Sequence, residues 1–311
     1  EIPKFIEGPT GNIFVLEHHP DNDVPDCWVI SLNSGLLCRT GPRRLYVEFA
    51  QTLAQAGFGV IRADLPGIGD SDGPGPATHF DMHSPDHVRS VIEYAKREFA
   101  PQAIVLHGLC AGARAAIRTA AQSDDVAAVL AWSAPILTSA PGMPSAGGPK
   151  HGVSKAVAEY SKDRVIRVFR EAKFLKSAFW RRHLRSPRLV PELKRAFLSM
   201  WMLATRSVPT TYDSPFAGSL ASYVADGRPI QFIFGERDTT AVQEFVDLEL
   251  GLDGKDVLVL PGGTHNFSTS DQRRVVIAAA RDWLTDRFVA DPAVHRSLRY
   301  GIAPEWNDLV T

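Results

Sequence analysis

"LHGLCAGARAA", residues 106–116, is an apolar run that ends at a glycine, sets a cysteine between two glycines each two positions away, and resumes as a run of small residues. A side chain perched on a sharp turn from strand to helix needs small neighbours at those two positions, because a Cβ there would strike the strand and the helix packed beside it. Read this way, Cys110 is a nucleophile with sulfur where such a turn usually carries a serine oxygen. The turn aims the thiol at the positive end of the following helix, which favours the thiolate. A lone cysteine is more often a small core residue. The strand before it, the paired glycines and the helix after it argue for function instead.

Working outward, short apolar runs rich in β-branched residues recur with helical stretches between them, the pattern of a mostly parallel sheet. The runs are "NIFVLEH" (12–18), "CWVISLN" (27–33), "GVIRAD" (59–64), "AIVLHG" (103–108), "AAVLAWSA" (127–134), "PIQFIFG" (229–235) and "DVLVLPG" (256–262). Among the helices, "RRLYVEFAQTLAQAG" (43–57) puts Leu45, Phe49, Leu53 and Ala56 on one stripe and stops at Gly57. "PDHVRSVIEYAKREFA" (85–100) and "SDQRRVVIAAARDWLTDRFV" (270–289) share that period, the latter opening on a Ser/Asp cap. After Trp132 the alternation stops at a Pro-, Gly- and Ser-rich stretch and gives way to helical periodicity until about Leu220. The expected layout is a core α/β domain over 1–135, a helical lid insertion over 136–222, the rest of the core over 223–290 and an extension over 291–311.

A strand-to-helix nucleophile calls for an acid after a later strand and then a histidine, each at the carboxyl end of its strand. "PIQFIFGERDTT" supplies Asp238, with Glu236 its competitor, and "VLVLPGGTHNFS" supplies His265. The expected triad is Cys110, His265 as base and Asp238 as its orienter. The oxyanion hole should use the amide of Ala111 and one from the loop "NSGLLCRTGPRR", either Gly35 or Leu36, with Leu36 preferred. Arg39 and Arg43 of that loop could meet an anionic substrate or simply lie at the surface. Trp180 and Trp201, with Phe179 and Met200, are candidates for the pocket wall. The ligand-like "HFDMH" (79–83) offers too few groups for zinc, so neither a metal nor a cofactor is expected.

With these residues assembled, the chain resembles the α/β-hydrolase superfamily: "NSGLLCRTG", "GFGVIRADLPGIGDSDG", "GLCAGA", "GERD" and "GGTHNF" follow its order. The resemblance spans roughly 25–135 and 225–290, with an insertion where that superfamily carries a lid. It looks closest to hydrolases associated with the exosortase A system, and is also similar to the α/β-hydrolase-like proteins of polyketide clusters. In tetronate pathways one of the latter eliminates acetate to leave an exocyclic alkene. The departure is cysteine for serine, a nucleophile that dienelactone hydrolase shows the superfamily to tolerate. The resemblance implies an acyl hydrolase, thioesterase or acyltransferase acting on a biosynthetic intermediate. Its rivals are an acetate-eliminating lyase with His265 as base and a non-catalytic binding protein on a hydrolase scaffold.

Charge narrows the partners. The net charge is -1, yet residues 150–206 hold 15 Lys or Arg against 4 Asp or Glu, a local +11. Such a segment suits a small acyl substrate carried by coenzyme A or an acidic carrier protein, or is a solvated lid face. Nothing suggests nucleic-acid binding. The longest apolar runs fall short of a membrane span, and "EIPKFIEG" lacks a secretory n-region and h-region. Three cysteines suit reduced thiols, so a cytoplasmic location is expected.

Overall fold

A computed structural model describes residues 1–21, 25–74, 84–136, 214–246, 250, 252 and 254–289. Eight strands in them form one sheet: β1 (Ile2–Gly8), β2 (Gly11–His18), β3 (Cys27–Leu32), β4 (Gly59–Asp64), β5 (Ala103–Leu109), β6 (Ala128–Trp132), β7 (Ile230–Gly235) and β8 (Val257–Leu260). Their spatial order is β1-β2-β4-β3-β5-β6-β7-β8. β2 pairs antiparallel with β1 and β4, and every other pairing is parallel. Strands covered on both faces read as continuous apolar runs, and β3, β4, β6 and β7 are buried at every position. All seven runs expected from the sequence are strands.

β1 is an addition to that reading. It pairs with β2 through the short turn Pro9–Thr10, and Phe5 packs edge-on against the opposite Phe14 at 5.2 Å. Of its residues only Ile6 is buried, and Pro3 is tolerated because the strand lies at the sheet's edge. That leaves no apolar period to detect.

The helices are α1 (Leu45–Gln55), α2 (Pro85–Phe99), α3 (Ala111–Ala120), α4 (Ser214–Ala225), α5 (Thr239–Val246) and α6 (Ser270–Phe288). The α1 stripe of Leu45, Phe49 and Leu53 is wholly buried, and the chain turns at Gly57 with φ of 89°. Ser84 caps α2 by accepting the Asp86 amide at 3.0 Å. The cap of α6 is Thr269, one residue before the expected Ser/Asp pair, accepting from Gln272 N at 3.2 Å.

Residues 1–136, 215–242 and 249–289 belong to one compact unit, so its chain is interrupted and resumed. The return comes earlier than the sequence suggested. α4 begins inside the expected 136–222 insertion, yet its Phe216 and Leu220, like Tyr223 just beyond it, are fully buried in the sheet unit's core. Arg114 of α3 spans the break, donating to Pro135 O at 3.0 Å and Ile136 O at 3.3 Å with its guanidinium 4.1 Å above the Phe216 ring. Among the described residues no helix is long and apolar enough to cross a membrane.

Candidate active site

The turn at Cys110 is strained and tightly held. Its φ of 59° and ψ of -118° lie where non-glycine residues are rarely found, at a cost of about 1–3 kcal/mol that the surroundings must offset. Cys110 N donates to Trp132 O at 2.9 Å, and Leu109 N donates to the Tyr46 hydroxyl at 2.9 Å. The flanking glycines are needed for the reason the sequence suggested. A Cβ on Gly108 would lie 2.2 Å from Gly112 C, and one on Gly112 would lie 2.6 Å from Asn33 O and 2.7 Å from Leu32 O. α3 therefore starts in backbone contact with both β5 and the end of β3.

Cys110 is partly exposed, as is Cys38, whereas Cys27 is buried. Burial first, with the nearby Asp26 charge second, pushes the Cys27 thiol up to about 12, so it stays protonated and inert. Cys38 packs against Ala111 and Ile68, beside the start of α3.

Two loops bring the other polar members together. After β7, Asp238 N donates to Gly235 O at 2.8 Å; after β8, Gly263 N donates to Leu260 O at 3.0 Å. They are stitched by Arg237 N to Gly263 O at 2.8 Å and by close backbone packing, since a Cβ on Gly235 would come within 2.6 Å of Gly263 C. This sets His265 Nδ1 2.5 Å from Asp238 Oδ2. The rival carboxylate is occupied elsewhere: Glu236 Oε2 accepts the Gly262 amide at 2.6 Å.

Burial disfavours the charged form of His265, but its interactions with Asp238 first and Cys110 after it outweigh that and raise its pKa to about 10. The imidazolium is thus the favoured form at neutral pH. Its side chain is 37% exposed and that of Asp238 13%, an accessible imidazole beside a sheltered carboxylate. With Nδ1 engaged by Asp238, Nε2 is the nitrogen left for the sulfur.

The expected oxyanion loop runs from Asn33 to Gly41. A turn closed by Leu37 N to Ser34 O at 3.2 Å carries Gly35, with φ of 58°, and Leu36, whose side chain is 54% exposed. Neither the Leu36 nor the Ala111 amide has an acceptor among the described residues, so both remain able to donate. The loop is anchored on Asp64, a fully buried carboxylate that accepts Asn33 Nδ2 at 3.2 Å and Arg39 N at 2.5 Å.

Arg39 plays a different part from the one considered in the sequence. Its guanidinium pairs with Asp64 and, at 2.8 Å, with Asp70, and lies 4.2 Å above the Phe14 ring. Two carboxylates already neutralise it, so it ties the loop to the end of β4 rather than offering charge to a substrate. Arg43 is exposed at the surface. Trp180, Trp201, Phe179, Met200 and the "HFDMH" residues lie outside the described residues.

Sequence reasoning missed Tyr46 and Asp64. A tyrosine at a helix start reads as core, and an aspartate ending a strand reads as a turn residue. The pairing of "NSG" with "RAD" was the signal available for Asp64.

The fold recurs widely in solved structures. An α/β serine hydrolase without a lid from Xanthomonas campestris has a TM-score of 0.54 at 15% identity, covering 94% of this chain and 96% of its own. A Pyrococcus furiosus esterase has a TM-score of 0.56 at 17% identity over 92% and 91%. A dienelactone hydrolase from Anabaena variabilis has 0.54 at 13% over 92% and 97%. No curated protein sequence matches the chain. The model of the alpha/beta hydrolase family matches residues 20–280, the span that holds the elbow, the acid and the histidine. The chain, an enzyme by that kinship, therefore belongs to the alpha/beta hydrolase family.

Proposed function

We propose that this enzyme transfers or hydrolyses acyl groups through Cys110, with His265 as proton carrier, Asp238 as its orienter and the amides of Ala111 and Leu36 as oxyanion donors. One observation carries the reading: the imidazole that Asp238 holds at 2.5 Å is also within electrostatic reach of Cys110 on the strained elbow. The proton rests on the His265 imidazolium, and Cys110 adds to the acyl carbonyl as the thiolate paired with it. The two amides take the resulting oxyanion. Collapse breaks the bond to the leaving group, which leaves with the proton from His265, and an S-acyl enzyme remains. Water or a second acceptor, deprotonated by His265, attacks the thioester and returns the thiol.

A thioester intermediate lies close in energy to a thioester substrate, which favours an acyl group delivered by coenzyme A or a carrier protein. The basic stretch 150–206 supports the same class, since it would draw phosphates or an acidic carrier. The resemblance to the exosortase-associated and polyketide-cluster branches fits a biosynthetic intermediate. Acetate elimination needs a neutral imidazole at rest, whereas His265 favours its protonated form, so the thiolate route is preferred.

Mass spectrometry after brief exposure to p-nitrophenyl acetate tests this. An acetyl adduct mapping to Cys110, absent in Cys110→Ala, is the expected result. An unmodified Cys110, with undiminished turnover in Cys110→Ala, would remove the covalent route and return the elimination or pure binding readings.

A further inference from the structure

β3 ends at Leu32, opposite Gly108, so the next amide of β5, at Leu109, has no β3 carbonyl to bond, although β6 still flanks it at Trp132. Leu109 N–H is taken instead by the hydroxyl of Tyr46, at 2.9 Å. Tyr46 belongs to the other half of the site as well. Its own amide donates to Thr40 O at 3.2 Å, and its ring lies so close under Gly41 that a Cβ there would sit 2.7 Å from ring carbons. Thr40 and Gly41 close the loop that offers Leu36. The ring packs edge-on against His107 at 4.9 Å and is fully buried, which fixes its position. One side chain thus touches the backbone just before Cys110 and the end of the loop facing it.

We infer that Tyr46 is a positioning residue that sets the spacing between the two oxyanion donors, joining the loop 33–41 to the elbow through its hydroxyl on Leu109 N and its ring on Gly41. The inference rests on the Cys110 reading. Its energetic logic is that oxyanion donors work only at the place where charge develops, and one misplaced donor costs about 10²–10³ in rate. Burial raises the phenol's pKa, so Tyr46 stays a neutral acceptor over the whole working range.

Two reactions at the same sulfur separate this role from a general structural one. Acylation by p-nitrophenyl acetate passes through an oxyanion; alkylation by iodoacetamide is a direct displacement that does not. Tyr46→Phe keeps the ring and removes the acceptor. Its acylation burst should slow by about 10- to 100-fold with the ester concentration at half-saturation within about 2-fold, while Cys110 alkylation keeps its wild-type rate. Gly41→Ala, which presses on the ring from the loop side, should give the same split and serves if Tyr46→Phe does not fold. Equal loss of both reactions, or retention of both, overturns the inference. A wild-type enzyme that neither bursts nor alkylates at Cys110 overturns instead the reading on which it depends.

Discussion

Gly108→Ala should separate the geometry of the elbow from its chemistry. The added methyl carbon would lie 2.2 Å from Gly112 C, 2.4 Å from Gly112 O and 2.5 Å from Ala113 N, all backbone atoms of the first turn of α3. Ordinary contact needs about 3.4 Å or more, so α3 must retreat by roughly 1 Å, and no side chain can rotate away to relieve the clash. Overpacking of a dense interior costs about 1–3 kcal/mol, and the rigidity of the obstacle places this case near the upper end. For a chain of this size that corresponds to a fall in Tm of roughly 4–5 °C. Because Cys110 and Ala111 N ride on the same turn, the p-nitrophenyl acetate burst should slow by about 100-fold. Gly218→Ala is the contrast. It lies in α4 with no heavy atom within 4 Å of its Cβ position, so a methyl should stabilise by about 0.5–1 kcal/mol and leave the burst unchanged. Urea unfolding and burst kinetics on both variants measure the difference. Gly108→Ala with wild-type stability and a normal burst would refute the packing account of why this turn carries glycine.

Asp238→Asn should cut the acylation rate by about 10²–10⁴, whereas Glu236→Gln, which only loosens Gly262, should stay within about 10-fold; stopped-flow rates that rank them the other way would move the orienter to Glu236. The pH dependence of stability has two opposed contributions. His265, raised to about 10 from its ordinary 6.5, stabilises fully below pH 6.5 and loses that effect as pH climbs through 10, so the unfolding free energies of wild type and His265→Gln should converge over that interval in urea titrations. A constant gap would deny the ion pair. His107 is the reverse: fully buried, with burial lowering its pKa to about 3, it stays neutral when folded, so the unfolded state alone takes its proton below pH 6.5. His107→Phe should therefore flatten the acid loss of stability between pH 6 and 4 by up to about 1.4 kcal/mol per pH unit, and an unchanged slope would place the proton uptake elsewhere, His18 being the next candidate.

The parallel part of the sheet could be read from sequence because strands buried on both faces are mostly apolar, broken only by single polar residues such as Ser31, Arg62 and Gln231, and each ended at a glycine, proline or charged turn. β1 could not, since six of its seven residues are partly or fully exposed. α5 is short and lacked a period long enough to register. The return of the chain into the core at α4 was set too late because its small and apolar residues continue the helical composition before it, and only packing assigns Phe216 and Leu220 to the sheet unit. In the site, local steric rules located Cys110, Asp238 and His265, each at the end of a strand. Choosing between Asp238 and Glu236 required the positions of two loops, which spacing along the chain does not give. Arg39 looked free because its partners, Asp64 and Asp70, are 25 and 31 residues away and meet it only when β4 lies beside β3. Tyr46 gave no signal at all, as nothing in its neighbourhood of sequence foretells a backbone amide 63 positions later.

Arg114 has a consequence beyond its own hydrogen bonds. By fastening the carbonyls of Pro135 and Ile136 to the same guanidinium that covers Phe216, it joins the departure and arrival points of the interruption, on the very helix that begins beside Cys110. For chain whose ends are already clamped, lengthening what lies between costs little, about 0.6 kcal/mol for each doubling. The sheet unit can therefore accept longer or shorter chain at that place while the thiol, imidazole and carboxylate, all carried by that unit, keep their alignment.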